Sequence, residues 1–260
     1  MTGTEYFLIS YNVNGIRSAI SKNFYDWLRV ENPDIVCLQE TKAQPGQIDH
    51  ALFEQLGYHC AFHSAQRKGY SGTAILSKPT PDAVLYGIGD ARFDDEGRLI
   101  RADYGDITLL CSYFPSGTMG NVRQAFKMEY LTAFFQYIEQ LRQSRPKLIV
   151  TGDFNISHKP IDINSPKTHE KMSGFLPEER AWVDEFADAG FIDTFRVFHP
   201  DEAERYSWWS HWAKARERNI GWRLDYFWVT ENLYENLSDA DILDRVVHSD
   251  HCPVALRIRF

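Results

Sequence analysis

The chain has 260 residues, 43% of them hydrophobic and 25% charged, with a formal net charge of −8. That size suits one large α/β core, and that charge argues against a general binder of polyanions. No stretch approaches the roughly 20 apolar residues of a membrane span, and the four cysteines (Cys37, Cys60, Cys111, Cys252) form no CxxC pair, so buried free thiols outweigh a disulfide or zinc framework.

No repeat, low-complexity window or Gly/Ser-rich linker interrupts the chain, so residues 1–260 are expected to form a single domain. The opening Met1-Thr2-Gly3-Thr4-Glu5 lacks a basic lead, and the apolar run Tyr6–Ile9 is too short for a signal peptide. The expected location is therefore the cytoplasm. Strand-like runs follow at Tyr6–Tyr11, Ile35–Gln39, Thr73–Ser77, Ile107–Tyr113, Leu148–Gly152, Leu224–Val229 and Val254–Ile258. Between them, Phe24, Trp27 and Leu28 read as a short amphipathic helix stopped at Asn32-Pro33. Tyr130, Leu131, Phe134, Ile138 and Leu141 mark one face of a longer helix, and Pro177 followed by two glutamates opens another that runs to Gly190. This mixture predicts mixed sheets covered by helices.

Polar residues collect after three of the strands: Asn12-Val13-Asn14, Gln39-Glu40 and Asp153-Phe154-Asn155. Open α/β sheets bind ligands beyond their strand ends, which makes these groups candidates for one crevice. On extended backbone Asp153 and Asn155 share a face, as do Asn12 and Asn14; a strand-end turn explains the same residues equally well. Glu40 closes an apolar run and needs a partner, either a hard cation or the nearby Lys42. Asp250-His251 pairs a carboxylate with an imidazole, and Asp225 is placed to orient that ring; a structural histidine is the plainer alternative. Taken together, Glu40, Asp153, Asn155, Asp225, Asp250 and His251 suit metal-assisted phosphodiester hydrolysis. Carboxylates hold the ion, one carboxylate activates water, and Asn and His bond the developing charge. No Walker loop, zinc spacing or Ser-His-Asp order competes.

Eight segments, in order, resemble the exonuclease III / apurinic-apyrimidinic (AP) endonuclease family, within the DNase I-like endonuclease/exonuclease/phosphatase superfamily. They are Ser10–Arg17, Leu38–Lys42, Gly69–Thr73, Tyr113–Pro115, Gly152–Ile156, Gly174–Arg180, Asn219–Tyr226 and Ser249–Pro253. The resemblance implies a four-layer α/β sandwich of two mixed β-sheets flanked by helices. It implies Mg²⁺, with Mn²⁺ as a substitute, held by Glu40, Asp250 and Asn14. Asp153 would activate water, Asn155, Asn12, Tyr113 and His251 would meet the phosphate, and Asp225 would hold His251. Arg17, Lys42, Tyr70, Arg98, Arg216 and Arg223 would grip DNA. Trp208, Trp222 and Leu224 would form an apolar slot for a sugar that has lost its base. The implied substrate is double-stranded DNA with abasic sites, nicks or damaged 3′ ends, bound by a monomer away from any membrane.

One loop departs from the family pattern: His169 and Met172 stand where small polar residues are usual. If these bulkier side chains narrow the slot, trimming of 3′ ends would exceed incision at internal abasic sites. Two further readings are a phosphatase of inositol lipids and a catalytically dead nucleic-acid binding module. The pocket motif ending in Trp222-Arg223-Leu224-Asp225 and the basic segment around Lys214, Arg216 and Arg218 favour DNA. Arg205–Arg223 as a whole holds five Lys or Arg against Glu217 alone, a balance that an ordinary mixed surface also explains. The intact acid set argues against a mere binder.

Overall fold

A computed structural model describes residues 3–260; Met1 and Thr2, part of the opening stretch discussed above, lie outside it. Among the described residues fourteen strands occur in chain order: β1 (Glu5–Asn12), β2 (Ile35–Gln39), β3 (His59–His63), β4 (Thr73–Ser77), β5 (Ala83–Tyr86), β6 (Leu99–Tyr104), β7 (Ile107–Tyr113), β8 (Lys147–Asp153), β9 (Phe191–Asp193), β10 (Trp208–Trp209), β11 (Gly221–Trp222), β12 (Asp225–Thr230), β13 (Leu237–Ile242) and β14 (Val254–Arg259). They form two six-stranded sheets, ordered β13-β14-β1-β2-β4-β3 and β5-β6-β7-β8-β12-β9, and a small β10-β11 ribbon. Both large sheets are mixed. β1 runs parallel to β2, and β7 parallel to β8, while the other pairs within those sheets are antiparallel.

The sheets face each other across an apolar core. Leu8, Ile35, Cys37 and Leu256 of one meet Ile100, Leu109, Cys111 and Phe227 of the other. Each outer face is then covered by helices. Phe24, Leu28 and Phe53 pack on the first sheet, and Tyr130, Phe134, Ile138, Trp182 and Phe186 pack on the second. The result is the expected four-layer α/β sandwich. β2 and β7, both buried along their whole length, are apolar because they lie between two layers.

The local signals act as expected at the helix ends. Asn32 closes the helix Phe24–Glu31 in the left-handed region, its N–H bonded to the Leu28 carbonyl before Pro33. Pro177 starts the helix Pro177–Asp188, with Glu178 and Glu179 in its first turn. The strands that sequence reading missed are short or polar. β5 is largely exposed at a sheet edge, β6 carries the Arg101–Asp103 ion pair, and β13 includes Ser238, Asp239 and Asp241. In β5 and β13 the alternation is weak because an edge strand buries little of one face, whereas β6 is an inner strand whose pattern is broken by its charged pair.

Candidate active site

Register brings the acids together. β1 and β2 are parallel, so Asn12 at the end of one lies opposite Gln39, and Glu40 follows directly. In the second sheet Asp153 pairs with Tyr113 on one side and with Asp225, the first residue of antiparallel β12, on the other. β14 runs antiparallel to β1, so Asp250 and His251 arrive at the same end just before it starts. Asn12 Nδ2 donates to Glu40 Oε1 and to Asp153 Oδ2, both at 2.9 Å, and so bridges the two sheets. His251 Nδ1 lies 2.8 Å from Asp225 Oδ2, leaving Nε2 3.9 Å from Asp153 Oδ2. Asp250 takes hydrogen bonds from Asn14 Nδ2 at 2.9 Å, Trp208 Nε1 at 3.1 Å and Ser249 Oγ at 3.1 Å.

The period-two expectation holds for contacts and fails for backbone. Asn14 and Asn155 sit at φ 44° and 52°, and their N–H groups donate to Asn12 Oδ1 and Asp153 Oδ1. Both segments are therefore Asx turns, the strand-end alternative, with Val13 and Phe154 still driven into the core. The turn brings Asn155 back onto Asp153. Its Nδ2 hydrogens go to the Phe114 carbonyl at 3.0 Å and Asp153 Oδ2 at 3.2 Å. Asn12 is saturated in the same way, so both amides orient carboxylates rather than offering free donors to a phosphate.

Four carboxylates, Glu40, Asp153, Asp225 and Asp250, share this buried end with two cations. Lys42 bonds Glu40 Oε2 at 2.6 Å and also reaches Asn14 Oδ1, so the Lys42 partner considered for Glu40 is present. The electrostatics follow. Burial, reinforced by the charges of Asp225 and Glu40 and opposed by His251, pushes the Asp153 carboxyl up to about 7. Burial opposes charge on His251, but the surrounding acids, Asp225 foremost, raise it to about 10. Burial also works against ionised Asp250, yet His251 and three hydrogen bonds hold it down at about 2. Asp225 Oδ1 is buried without a partner. Glu40, Asp153 and His251 each offer a ligand atom within 4.8 Å of the others. An oxygen-rich donor set with more acid than base fits a hard divalent cation.

Glu40, Asp250 and His251 of this group line a cavity of about 250 Å³, while Asp153 and Asp225 lie buried next to them. Glu40, Asp250, His251, Asn155 and Tyr113 form its polar side; Trp208, Trp222 and Leu224 form its apolar side. The two indoles meet edge to face at 6.1 Å. Met172 also lines the cavity and is 50% exposed, while the His169 ring packs against Trp222 at 5.1 Å.

Several of the arginines expected on DNA have other partners. Arg223 is 1% exposed and paired with Asp162 and Asp193, because Trp222 and Leu224 face the cavity and the residue between them points away. Arg98 is 2% exposed and paired with Glu96, and the Tyr70 hydroxyl accepts from that same guanidinium. Arg216 spans the carbonyls of Ser249, Asp244 and Val246 and stacks on Trp209, which fixes the loop carrying Asp250. Of the six residues, Arg17 is exposed at the surface and Lys42 is half-buried beside Glu40.

Three supporting residues were missed as parts of the site, Glu179 having been read only as a helix-start acid within the Gly174–Arg180 segment. Ser207 Oγ donates to Asp225 Oδ2 at 2.7 Å. Lys127 and Glu179, both fully buried, pair at 2.6 Å, and Lys127 Nζ also donates to the Asn155 carbonyl at 2.8 Å. Partners lie 18 to 52 positions apart, so no spacing rule reveals them.

The chain belongs to the Endonuclease/Exonuclease/phosphatase family, which it matches over residues 9–251. It is a nuclease, and its relatives fall among exodeoxyribonucleases and AP endonucleases. It is 45% identical to an exodeoxyribonuclease of Bacillus subtilis (strain 168), over 96% of this chain and 98% of that protein. Among solved structures it resembles an AP endonuclease from Archaeoglobus fulgidus, with a TM-score of 0.89 and 31% identity over 97% of this chain and 99% of that one. It also resembles a variant of the 3′ phosphatase NExo from Neisseria bound to product DNA hairpin, with a TM-score of 0.90 and 26% identity over 98% of this chain and 100% of that one.

Proposed function

We propose that this nuclease is a Mg²⁺-dependent enzyme of base excision repair that hydrolyses phosphodiesters in double-stranded DNA at abasic sites and damaged 3′ ends. The observation that carries the reading is one cavity with a carboxylate-rich side and an indole-lined side. Glu40, the member of the close ligand cluster with no other role in the chemistry, would hold the ion, with Asp250, which lines the same cavity and accepts from Asn14, as the second acid. When bound, Mg²⁺ neutralises phosphate charge and the leaving oxygen. Asp153, clamped by Asn12 and Asn155, is oriented to take a proton from the attacking water, and a carboxyl raised to about 7 is well matched to that task at neutral pH. His251, charged and turned by Asp225, presents Nε2–H to a phosphoryl oxygen. Tyr113, whose hydroxyl burial and Glu40 keep protonated, donates from the other flank. Trp208, Trp222 and Leu224 accept a deoxyribose without a base and exclude an intact nucleotide by size.

A panel of end-labelled duplexes tests this: an internal abasic analogue, a 3′-phosphate nick and an undamaged recessed 3′ end, each with Mg²⁺, Mn²⁺ or EDTA. Cleavage with metal and none in EDTA is expected. Undiminished cleavage in EDTA, or hydrolysis confined to inositol lipid headgroups, would overturn the reading.

A second reading concerns which substrate is preferred. His169 against Trp222 and Met172 at the cavity wall support 3′-end trimming over internal incision. His169→Gly should raise turnover on the internal abasic duplex relative to the 3′-phosphate nick by about tenfold. An unchanged ratio would remove the idea.

A further inference from the structure

Behind Tyr113 lies an ion cluster that the site chemistry does not use. Arg98 Nε donates to Glu96 Oε2 at 2.7 Å, and Arg123 Nη1 donates to Glu96 Oε1 at 3.0 Å. The Tyr70 hydroxyl accepts from both guanidiniums, from Arg98 at 3.2 Å and from Arg123 at 2.9 Å. Two cations thus share one carboxylate. Three features bind Arg98 to Tyr113. Arg98 Nη1 donates to the Tyr113 carbonyl at 2.8 Å, the Tyr113 N–H donates to the Arg98 carbonyl at 2.8 Å, and the guanidinium carbon lies 4.9 Å from the Tyr113 ring centroid. Just before Arg98 the chain runs tightly along the His63–Ala65 backbone, and only Gly97 fits there: its φ is +62° and a Cβ would fall 2.5 Å from the His63 carbonyl oxygen.

We propose that Arg98 is a positioning residue for Tyr113: its buried guanidinium fixes the phenol ring at the cavity wall and polarises its O–H toward the reacting phosphate. The proposal rests on the reading of Tyr113 as a phosphate donor. A cation against a desolvated ring acts strongly because little solvent screens it. The fork geometry is needed as well as the charge, since one group meets Glu96, Tyr70 and the Tyr113 carbonyl at once. Arg123 extends the cluster to the start of the helix Asn121–Arg142. The segment just before that helix supplies Ser116 and Thr118 to the cavity, so the same cluster braces the wall beside Tyr113.

The test is a double-mutant cycle on the Mg²⁺-loaded enzyme with an abasic-analogue duplex. Arg98→Lys keeps the charge and loses the fork. It should lower kcat by about tenfold with KM within about twofold, because a misaimed donor costs most in the transition state. In a Tyr113→Phe background the same change should cost less than about twofold, since the hydroxyl it aims is gone. Arg123→Gln, at a side chain 23% exposed, should show a weaker form of the same pattern and carries the comparison if Arg98→Lys is too unstable to assay. Equal losses in both backgrounds would overturn the proposal, because Arg98 would then act on stability or on some other group. Full activity in Tyr113→Phe alone would overturn it too, by removing Tyr113 from the chemistry. Failure of the underlying function shows separately, as wild-type enzyme that cleaves no duplex in Mg²⁺.

Discussion

Asp153 is the residue on which the site turns. It is 1% exposed, yet Asn12, Asn155 and the Asn155 N–H all donate to it, and His251 stands 3.9 Å away. Three donors on an acid normally favour the carboxylate, but burial beside Asp225 outweighs them and leaves the group poised near neutrality. Asp153→Asn keeps the size and most of the hydrogen bonds while removing the carboxylate proposed to accept the proton of the attacking water. Turnover should fall by about a thousandfold or more, with DNA affinity within about threefold, measured by single-turnover cleavage and by binding of uncleavable duplex. Near-wild-type cleavage would take the water-activating role from this residue.

At the scale of elements, the parallel pair β7-β8 sets the spacing between Tyr113 and Asp153. Gly152 is the point of closest approach. Its φ is +141°, and a Cβ there would stand 1.8 Å from the Ser112 carbonyl oxygen. Backbone cannot move aside as a flexible side chain would, so Gly152→Ala must push the two strands apart one residue before Asp153. Destabilisation of about 3 kcal/mol is expected, read as a lower midpoint in urea unfolding, together with a fall in kcat in the fraction that remains folded. An alanine variant of unchanged stability and activity would show that the strands tolerate the shift. The β10-β11 ribbon works differently. Trp208 pairs with Trp222 across it, so a two-residue strand is enough to hold both indoles at the cavity. The Asx turns after β1 and β8 complete the arrangement by folding polar side chains back over their own strand ends.

Across the whole molecule, a buried ion network ties the second sheet to the cavity wall. Arg223, between Trp222 and Leu224, reaches Asp162 and Asp193, and Arg196 shares Asp162. Burial alone would raise the Asp162 carboxyl, but the two guanidiniums bring it down to about 2. A carboxyl lowered on folding contributes stability above its unfolded value of about 4, and that contribution disappears as pH falls through about 2. The contribution is about 2 kcal/mol. The stability advantage of wild type over Asp162→Asn should therefore be full at pH 6 and shrink between pH 4 and pH 2, measured by chemical denaturation at each pH. A difference that stays constant down to pH 2 would contradict the ion-pair origin. The network also accounts for Arg223 standing inside a motif rich in functional residues: it braces Trp222 and Leu224 from behind.

Much of this was written in the chain. The apolar runs of β1, β2, β4, β7, β8, β12 and β14, the Asn32-Pro33 stop and the Pro177 start are local signals, and local signals survive into the fold because strand and helix periodicity act over a few residues. The acids Glu40, Asp153, Asp225 and Asp250 were legible for the same reason, each sitting at a strand edge. Which of the other polar residues face the cavity was not. Arg98 and Arg223 carry the same charge as surface arginines, and only the packing of two sheets decides that they are buried and paired. Asn12 and Asn155 have free amides on paper, and only their approach to Glu40 and Asp153 shows those amides to be spent. Local sequence fixes backbone preference and side-chain type; the partner of each charge lies dozens of residues away, and only the folded sheets bring it within hydrogen-bonding reach.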